Sequence, residues 1–183
     1  MNHALKLHPA SVCDSVARID VEVTRTREGV LQLKYAAAGR IDELRLPTVT
    51  APARTDELWR HTCFEAFVRA APDVAYAEFN FAPSTQWAAC RFSAYREGMT
   101  IASEIAAPRI DVQSNAEVFS LRASLDLAPL KHLRRNASWR LGISAVIEEA
   151  NGRKSYWALA HPPGKPDFHH SDSFALELGA PRV

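Results

Sequence analysis

Short segments in which apolar and polar residues alternate recur along most of this 183-residue chain. Ile19, Val21 and Val23 alternate with polar residues, and the alternation resumes over 30–35 after Gly29, which predicts a β-hairpin. Further strands are predicted at 60–69, 75–81, 87–95, 117–125, 139–148 and 154–161. Turn-forming residues, including 11 prolines and 7 glycines, separate many of these segments, which is typical of antiparallel β proteins.

We therefore predict an all-β fold, a two-sheet antiparallel sandwich of the immunoglobulin-like or jelly-roll type. The Asn151-Gly152 dipeptide predicts a hairpin between the last two strands. One short helical segment is expected at 127–135, where Pro129 is tolerated near the helix start. The chain contains no internal repeat and no linker, so we expect a single domain over residues 1–183.

Charge and hydropathy exclude several classes of partner. The 22 Lys and Arg residues nearly balance the 21 Asp and Glu residues, so the basic surface that nucleic acid requires is not expected. No apolar stretch approaches the roughly 20 residues that span a bilayer, and the N-terminus lacks an apolar signal core, so we expect a cytoplasmic protein without a membrane partner. The three cysteines are odd in number and lack CxxC spacing, which argues against a disulfide framework.

Side chains of a strand point alternately to its two faces, so residue parity divides the three central strands. The face predicted to be core carries Phe64, Ala66, Val68, Ala77, Phe79, Phe81, Ala88, Cys90, Phe92 and Ala94. The opposite face carries Trp59, His61, Cys63, Glu65, Phe67, Tyr76, Glu78, Asn80, Trp87, Arg91, Ser93 and Tyr95. The second face mixes large aromatic rings with carboxylates, an amide and a guanidinium, so we expect it to be covered or used for binding.

This aromatic face has two interpretations. In the first, loops or a second subunit cover the rings. If a second subunit covers them, the chain is an interaction module that dimerises through this face. Alternatively the rings form a ligand platform, on which Glu65, Glu78, Asn80 and Arg91 orient the ligand through hydrogen bonds. Sugar rings suit such a platform, because their C–H faces pack on aromatic rings while their hydroxyl groups pair with polar side chains.

The C-terminal segment 155–170 concentrates aromatic and polar side chains in one strand and one loop, and three prolines stiffen that loop. We predict that the loop 161–172 folds across the end of the aromatic face. Trp87 and Tyr76 would then lie near Lys165, Asp167 and His169 in one concave pocket. The alternative is that the loop only seals the edge of the sandwich.

Metal binding and glycoside hydrolysis are two further functions that residues of these types could have, and we predict neither. His161, Asp167, His169, His170 and Asp172 are metal-ligand types, but no HxH or HExxH pair presents two of them together, so no metal site is predicted. Glu65 and Glu78 would lie roughly 5 Å apart if directly paired on adjacent strands, near the geometry of a retaining glycosidase. The sequence does not determine the register of these two strands, so whether the carboxyl groups pair stays open. We predict a protein that is not an enzyme.

The residues also carry a family resemblance, spread over about residues 56–178. The matching segments are 58–68 (LWRHTCFEAFV), 76–84 (YAEFNFAPS), Trp87, 167–170 (DFHH) and Phe174. Together they resemble the DOMON-like group related to family-nine carbohydrate-binding modules. The resemblance implies a two-sheet antiparallel sandwich whose relatives bind sugars or haem. The sugar-binding relatives clamp their ligand between two exposed tryptophans, for which this chain offers Trp59, Trp87 and Trp157, whereas the haem-binding relatives use Met and His.

The sequence thus predicts a non-catalytic module that binds a small polar, saccharide-like ligand, with a dimerising interaction module and a haem domain as the alternatives. The predicted ligand-binding residues are Trp59, Glu65, Tyr76, Glu78, Asn80, Trp87, Arg91, Trp157, His161, Lys165, Asp167 and His169. No cofactor is expected apart from the haem alternative, and a homodimer is the alternative partner.

Overall fold

A computed structural model describes residues 2–181 of the chain, and within that range it contains twelve strands and three short 3-10 helices. The strands are β1 (Asn2–Leu7), β2 (Val16–Arg25), β3 (Val30–Gly39), β4 (Cys63–Ala70), β5 (Tyr76–Phe81), β6 (Trp87–Phe92), β7 (Thr100–Ile101), β8 (Arg109–Ser114), β9 (Val118–Asp126), β10 (Trp139–Glu148), β11 (Lys154–Ala158) and β12 (Leu176–Leu178). The 3-10 helices are η1 (Ile41–Glu43), η2 (Leu58–Arg60) and η3 (Ser171–Ser173). None of the helices in this range is long or apolar enough to cross a membrane.

The strands form one curled antiparallel sheet in the order β7-β6-β5-β4-β10-β11-β1-β2-β3-β9-β8, with β12 paired to β10. Strand β1 makes the corner, because Asn2 to Leu5 pair with β2 whereas Lys6 and Leu7 pair with β11. The sheet therefore folds into two halves. We call β1, β2, β3, β9 and β8 sheet A, and β7, β6, β5, β4, β10, β11 and β12 sheet B. The predicted all-β, two-sheet antiparallel sandwich is confirmed.

The main core lies between the two sheets. In sheet A, the apolar residues of the first predicted hairpin, such as Ile19 and Leu31, are fully buried. Phe64 of sheet B stacks on Phe119 of sheet A with ring centroids 5.6 Å apart. The Tyr35 hydroxyl group of sheet A donates a hydrogen bond to the Glu65 carbonyl oxygen of sheet B. Alternate residues of each strand thus fill the interior, as the period-two pattern requires.

Two local predictions have different outcomes. The Asn151-Gly152 dipeptide does lie in the hairpin between β10 and β11, and Gly152 adopts the positive φ of 84° that such a turn favours. The helix predicted at 127–135 is wrong, because successive turns replace it. The amide groups of Leu130 and Leu133 each donate to the carbonyl oxygen three residues earlier, and these turns bury both side chains in the core.

Candidate functional site

The face of sheet B that points away from the main core carries most of the polar and aromatic residues selected from the sequence; we call it the outer face. Its members are Cys63, Glu65 and Phe67 on β4, Tyr76, Glu78 and Asn80 on β5, Ala88, Cys90 and Phe92 on β6, and Ser144 on β10. Glu65 lies directly opposite Asn80, and Phe67 lies directly opposite Glu78. The antiparallel register therefore brings the acidic and amide side chains of β4 and β5 together.

The predicted face assignment of β6 is wrong by one position. Trp87 lies opposite Phe81 and Arg91 lies opposite Ala77, so both belong to the inner face. Trp87 is 4% exposed within the main core. Consequently Trp87 and Arg91 do not join the outer face, whereas Cys90 and Phe92, predicted as core, do.

The connection between β5 and β6 explains this shift. The Ala82 amide group donates to the Gln86 carbonyl oxygen across a closed turn, in which Thr85 has a positive φ of 71°. The length of this turn places Trp87 opposite Phe81. A change of one residue in register moves every side chain of a strand to the other face, so parity could not be assigned without knowing the turn.

Four buried polar side chains form the middle of the outer face: Glu65, Glu78, Asn80 and Ser144, which we call the polar strip. Asn80 Nδ2 donates to Glu78 Oε1 at 2.8 Å, and the Ser144 hydroxyl group donates to Glu65 Oε2 at 3.2 Å. Glu65 is 3% exposed and Glu78 is 8% exposed. Two carboxyl groups therefore sit side by side in a nearly desolvated environment.

Burial controls the ionisation of this strip. It raises the pKa of Glu65 to about 8, helped by the neighbouring Glu78 and opposed by the Ser144 hydrogen bond. The pKa of Glu78 is also raised by burial, against the hydrogen bond from Asn80. At neutral pH the Glu65 carboxyl group is therefore largely protonated and can donate as well as accept a hydrogen bond.

An aromatic cluster covers one end of the polar strip. It consists of Phe67, Tyr76, Phe92 and Phe174, which are buried together, with the His169 imidazole against them. The Tyr76 and Phe92 rings stack with centroids 4.8 Å apart, and His169 lies edge-on to Phe67 at 5.0 Å. The loop predicted to close this face thus does cover it, through His169 and the following Phe174.

A hydrogen-bond chain runs from Arg96 through Tyr76 to His169, which lies next to the polar strip. The Arg96 amide group donates to the Tyr76 hydroxyl oxygen, which leaves the Tyr76 proton for His169 Nδ1 at 2.7 Å. His169 Nε2 then lies 3.7 Å from Glu78 Oε2. Burial lowers the pKa of His169 to about 4, so the imidazole is neutral near pH 7. Burial also raises the pKa of Tyr76 to about 12.

Asp167 holds the loop in place. Its carboxylate accepts hydrogen bonds from the Tyr95 hydroxyl group, from Arg96 Nη2 at 2.8 Å and from the His169 amide group. Burial acts to raise the pKa of Asp167, but these hydrogen bonds outweigh it and the pKa is lowered. Asp167 therefore positions the loop rather than pointing at the polar strip.

The turn η2 covers the other end of the outer face. Leu58 packs on Cys63, Ala82 and Ala88, at the end of β4 and β5 opposite to the aromatic cluster. Its neighbour Trp59 is 51% exposed. Cys63, Glu65 and Phe67 follow each other along one face of β4, so the polar strip lies between Leu58 at one end and the His169 loop at the other.

The remaining predicted site residues lie elsewhere. Trp157 is buried in the main core, and its indole group donates to the Ser155 hydroxyl group. His161 Nε2 donates to the Lys6 carbonyl oxygen, which ties the loop to β1. Arg91 pairs with Glu104 at 2.8 Å, and Lys165 is exposed to solvent. Of the predicted residues, Glu65, Glu78 and Asn80 therefore lie together in the polar strip with Tyr76 and His169 at one end, and Trp59 lies in the turn η2 at the other end.

The two carboxyl groups are not a directly opposed pair. Asn80 occupies the position opposite Glu65, and Cys90 lies on the other side of Glu78. Diagonal positions on antiparallel strands are about 7–8 Å apart, longer than the roughly 5 Å considered for a retaining glycosidase.

Several contributors to this site were not selected as site residues from the sequence. Ser144 belongs to a distant strand, and only the pairing of β10 with β4 brings it to Glu65. Arg96 has no motif. Tyr95 was placed on the aromatic face and Phe174 belongs to the family resemblance, but the contacts of all three depend on the position of the loop. Parity would have found Phe92 if the β5–β6 turn had been known.

Metal and haem chemistry find little support in this arrangement. Within residues 2–181, no group of three or more His, Cys, Asp or Glu side chains is placed to hold a metal ion. Met99, the methionine of that range, is 61% exposed, and the outer face carries no methionine. These residues do not fit the Met and His ligation that the haem-binding relatives imply.

Comparison with known proteins identifies the fold. No protein-family model and no curated protein sequence matches the chain. A protein from Bacteroides uniformis, described as a candidate carbohydrate-binding protein, superimposes with a TM-score of 0.69 at 13% identity, over 94% of this chain and 83% of the other. A family-nine carbohydrate-binding module from Caldicellulosiruptor kristjanssonii, solved with cellotriose, has a TM-score of 0.54 at 8% identity, over 90% and 74%. The chain therefore has the sandwich fold of these proteins, which agrees with the family-nine part of the resemblance.

Proposed function

We propose that this chain is a non-catalytic saccharide-binding module whose ligand lies on the polar strip. One observation carries the proposal: a row of buried carboxyl and amide groups lies on the outer face between the aromatic cluster and the turn that carries the exposed Trp59. Such a row pairs with sugar hydroxyl groups, and the exposed Trp59 ring offers an apolar surface to a sugar C–H face. The fold shared with carbohydrate-binding proteins supports this proposal.

The charge of the polar strip indicates whether neutral or acidic sugars bind to it. The His169 imidazole, 3.7 Å from Glu78, is neutral and supplies no positive charge to the strip. A uronic acid would bring a carboxylate into this desolvated strip without a cation paired to it, which costs free energy. We therefore expect neutral sugars to bind more tightly than uronic acids.

A glycan array followed by isothermal titration calorimetry tests this function. We expect at least one neutral saccharide to bind, and Asn80→Ala to weaken it about tenfold or more because Glu78 loses its amide donor. Asn136→Ala, at an exposed turn, is the matched control. Trp59→Ala removes an exposed ring and is expected to fold normally while losing affinity.

Failure to bind any saccharide at millimolar concentration would refute the proposal. Equal affinities for Asn80→Ala, Trp59→Ala and the parent would place the ligand elsewhere. Size-exclusion chromatography of the same proteins tests the alternative of dimerisation, which predicts that Trp59→Ala shifts a dimer towards monomer.

A further inference from the structure

A cavity of about 500 Å³ opens beside η2, at the Leu58 end of the polar strip. Its wall combines the apolar groups of Pro47, Leu58 and Ala82 with the polar groups of His61, Thr62 and Gln86. This volume and this mixture of groups are typical of sites for small molecules. The cavity is separate from the residues that the sequence analysis selected for binding.

The charges around the cavity are paired with each other. Glu148, buried to 4% side-chain exposure, accepts from Arg45 Nη1 at 2.9 Å and lies 2.6 Å from His61 Nδ1. Arg60 pairs with Glu57 at 2.7 Å. Paired charges leave little net field for an ion, so the cavity suits an uncharged polar ligand.

His61 lines the cavity and has a ring nitrogen that Glu148 does not engage. Its Nδ1 is engaged by Glu148, and the side chain is 65% exposed, so Nε2 remains for another partner. In the neutral imidazole with a proton on Nδ1, Nε2 is an acceptor and can receive a hydrogen bond from a hydroxyl group.

The cavity adjoins the Leu58 end of the outer face. Leu58 and Ala82 line the cavity and also pack on Cys63. Cys63 precedes Glu65 by two residues on β4, a distance of about 7 Å along the strand. Trp59 follows Leu58 in η2, and the Arg60 guanidinium lies 5.4 Å from the Trp59 ring centroid. The exposed tryptophan is thus carried by the turn that separates the polar strip from the cavity.

We propose that this cavity is a second sugar subsite, so that the ligand is an oligosaccharide of at least two neutral residues that passes over Trp59. This inference rests on the proposed function and adds to it the length of the ligand. One residue occupies the polar strip, and the next places a hydroxyl group on His61 Nε2.

Calorimetry with glucose, cellobiose and cellotriose tests the subsite. For the parent chain, we expect the oligomers to bind roughly tenfold more tightly than glucose, the gain from about one net hydrogen bond and one buried ring face. Asp56→Trp puts a bulky side chain at the exposed rim of the cavity and should abolish this gain while glucose affinity is kept. Asp111→Trp, the same substitution on sheet A, is the control and should retain the gain. His61→Ala should lose most of it.

Equal affinities of the parent for glucose and cellotriose would overturn the subsite, as would a full gain in both Asp56→Trp and His61→Ala. Both results leave glucose binding in place, and therefore the proposed function. If no member of the series binds, and the glycan array is also negative, the proposed function fails and the subsite fails with it. If the array identifies another neutral sugar, its monomer and oligomers replace the glucose series, with the same expected and contrary results.

Discussion

The outer faces of the two sheets are built from the same alternation but have different surroundings. On sheet A, Glu22, Lys34, Arg122 and Asp111 lie opposite one another across four strands and stay in solvent. Lys34 pairs with Glu22 at 2.7 Å, and an open cavity of about 590 Å³ lies above this charged row. On sheet B, the equivalent surface carries buried carboxyl groups and stacked rings beneath a loop.

The difference shows that cavity size alone does not distinguish a binding face. The sheet A cavity is as large as the one beside η2, but it lies over exposed ion pairs, whereas the cavity beside η2 adjoins the Leu58 end of the polar strip. Exposed ion pairs contribute little to stability, whereas desolvated polar groups interact strongly with any partner that they meet. A folded loop therefore gives the outer face of sheet B its special chemistry.

The largest expected effect is the difference in stability between truncating a packed residue on the outer face of sheet B and truncating a solvated residue on the outer face of sheet A. Phe92→Ala should lower the free energy of unfolding by about 3–5 kcal/mol, because it removes the ring that stacks on Tyr76 and leaves a cavity. Val118→Ala on the outer face of sheet A, where Val118 is 37% exposed, should cost less than about 1 kcal/mol. Chemical denaturation measures both. Similar small costs at the two positions would mean that the aromatic cluster is not a second core.

The effect of intermediate size is the pH dependence of the free energy of unfolding. The folded chain keeps a proton on Glu65 up to pH about 8, whereas the unfolded chain releases it near the ordinary pKa of 4.5. Stability contributed by this proton is therefore lost as pH rises through that range. His169 acts in the opposite direction, mainly between its folded pKa of about 4 and its ordinary pKa of 6.5, so we compare variants from pH 6.5 to 8.5. The pKa of Glu78 is raised as well, so the contribution of Glu65 is the difference between the parent and a Glu65 variant.

Between pH 6.5 and 8.5 we expect the free energy of unfolding of the parent to fall by on the order of 1–3 kcal/mol. The free energy of unfolding of Glu65→Gln should fall much less. Glu22→Gln changes a solvated carboxylate on sheet A and should follow the parent. Parallel pH profiles for the parent and Glu65→Gln would show that Glu65 is ionised in the folded chain.

The smallest expected effect tests how the loop is held on the outer face. Tyr76→Phe removes the hydroxyl group that joins His169 Nδ1 to the Arg96 amide group. It should lower the free energy of unfolding by about 1–2 kcal/mol. Hydrogen exchange should show faster opening of residues 167–174. Tyr156→Phe is the matched control, since its hydroxyl group has no hydrogen-bond partner within residues 2–181 and the loop should be unaffected. An unchanged exchange rate in Tyr76→Phe would mean that packing alone holds the loop.

The sequence predicted the central part of the site better than its boundaries. Glu65, Glu78 and Asn80 were assigned to one face correctly, because each lies at fixed parity within an uninterrupted strand. Trp87 was misplaced because its parity depends on the turn before β6. Trp157 is an aromatic residue of the main core, and an aromatic residue type alone does not distinguish core from binding site.

The sequence by itself determined the features that depend on local periodicity: eight of the twelve strands within residues 2–181, the sandwich and the shared face of Glu65 with Phe67, since alternation acts between neighbouring residues. It did not predict β1, β7, β8 and β12. It did not determine the turns at 127–135, where leucines spaced for a helix are buried by the packing of the two sheets. Only the tertiary structure decided the register of β6, the arrival of Ser144 beside Glu65 and the hydrogen bonds from Tyr95 and Arg96 to Asp167. These features depend on turn lengths and on contacts between distant segments, and the same contacts desolvate the carboxyl groups and set their pKa values.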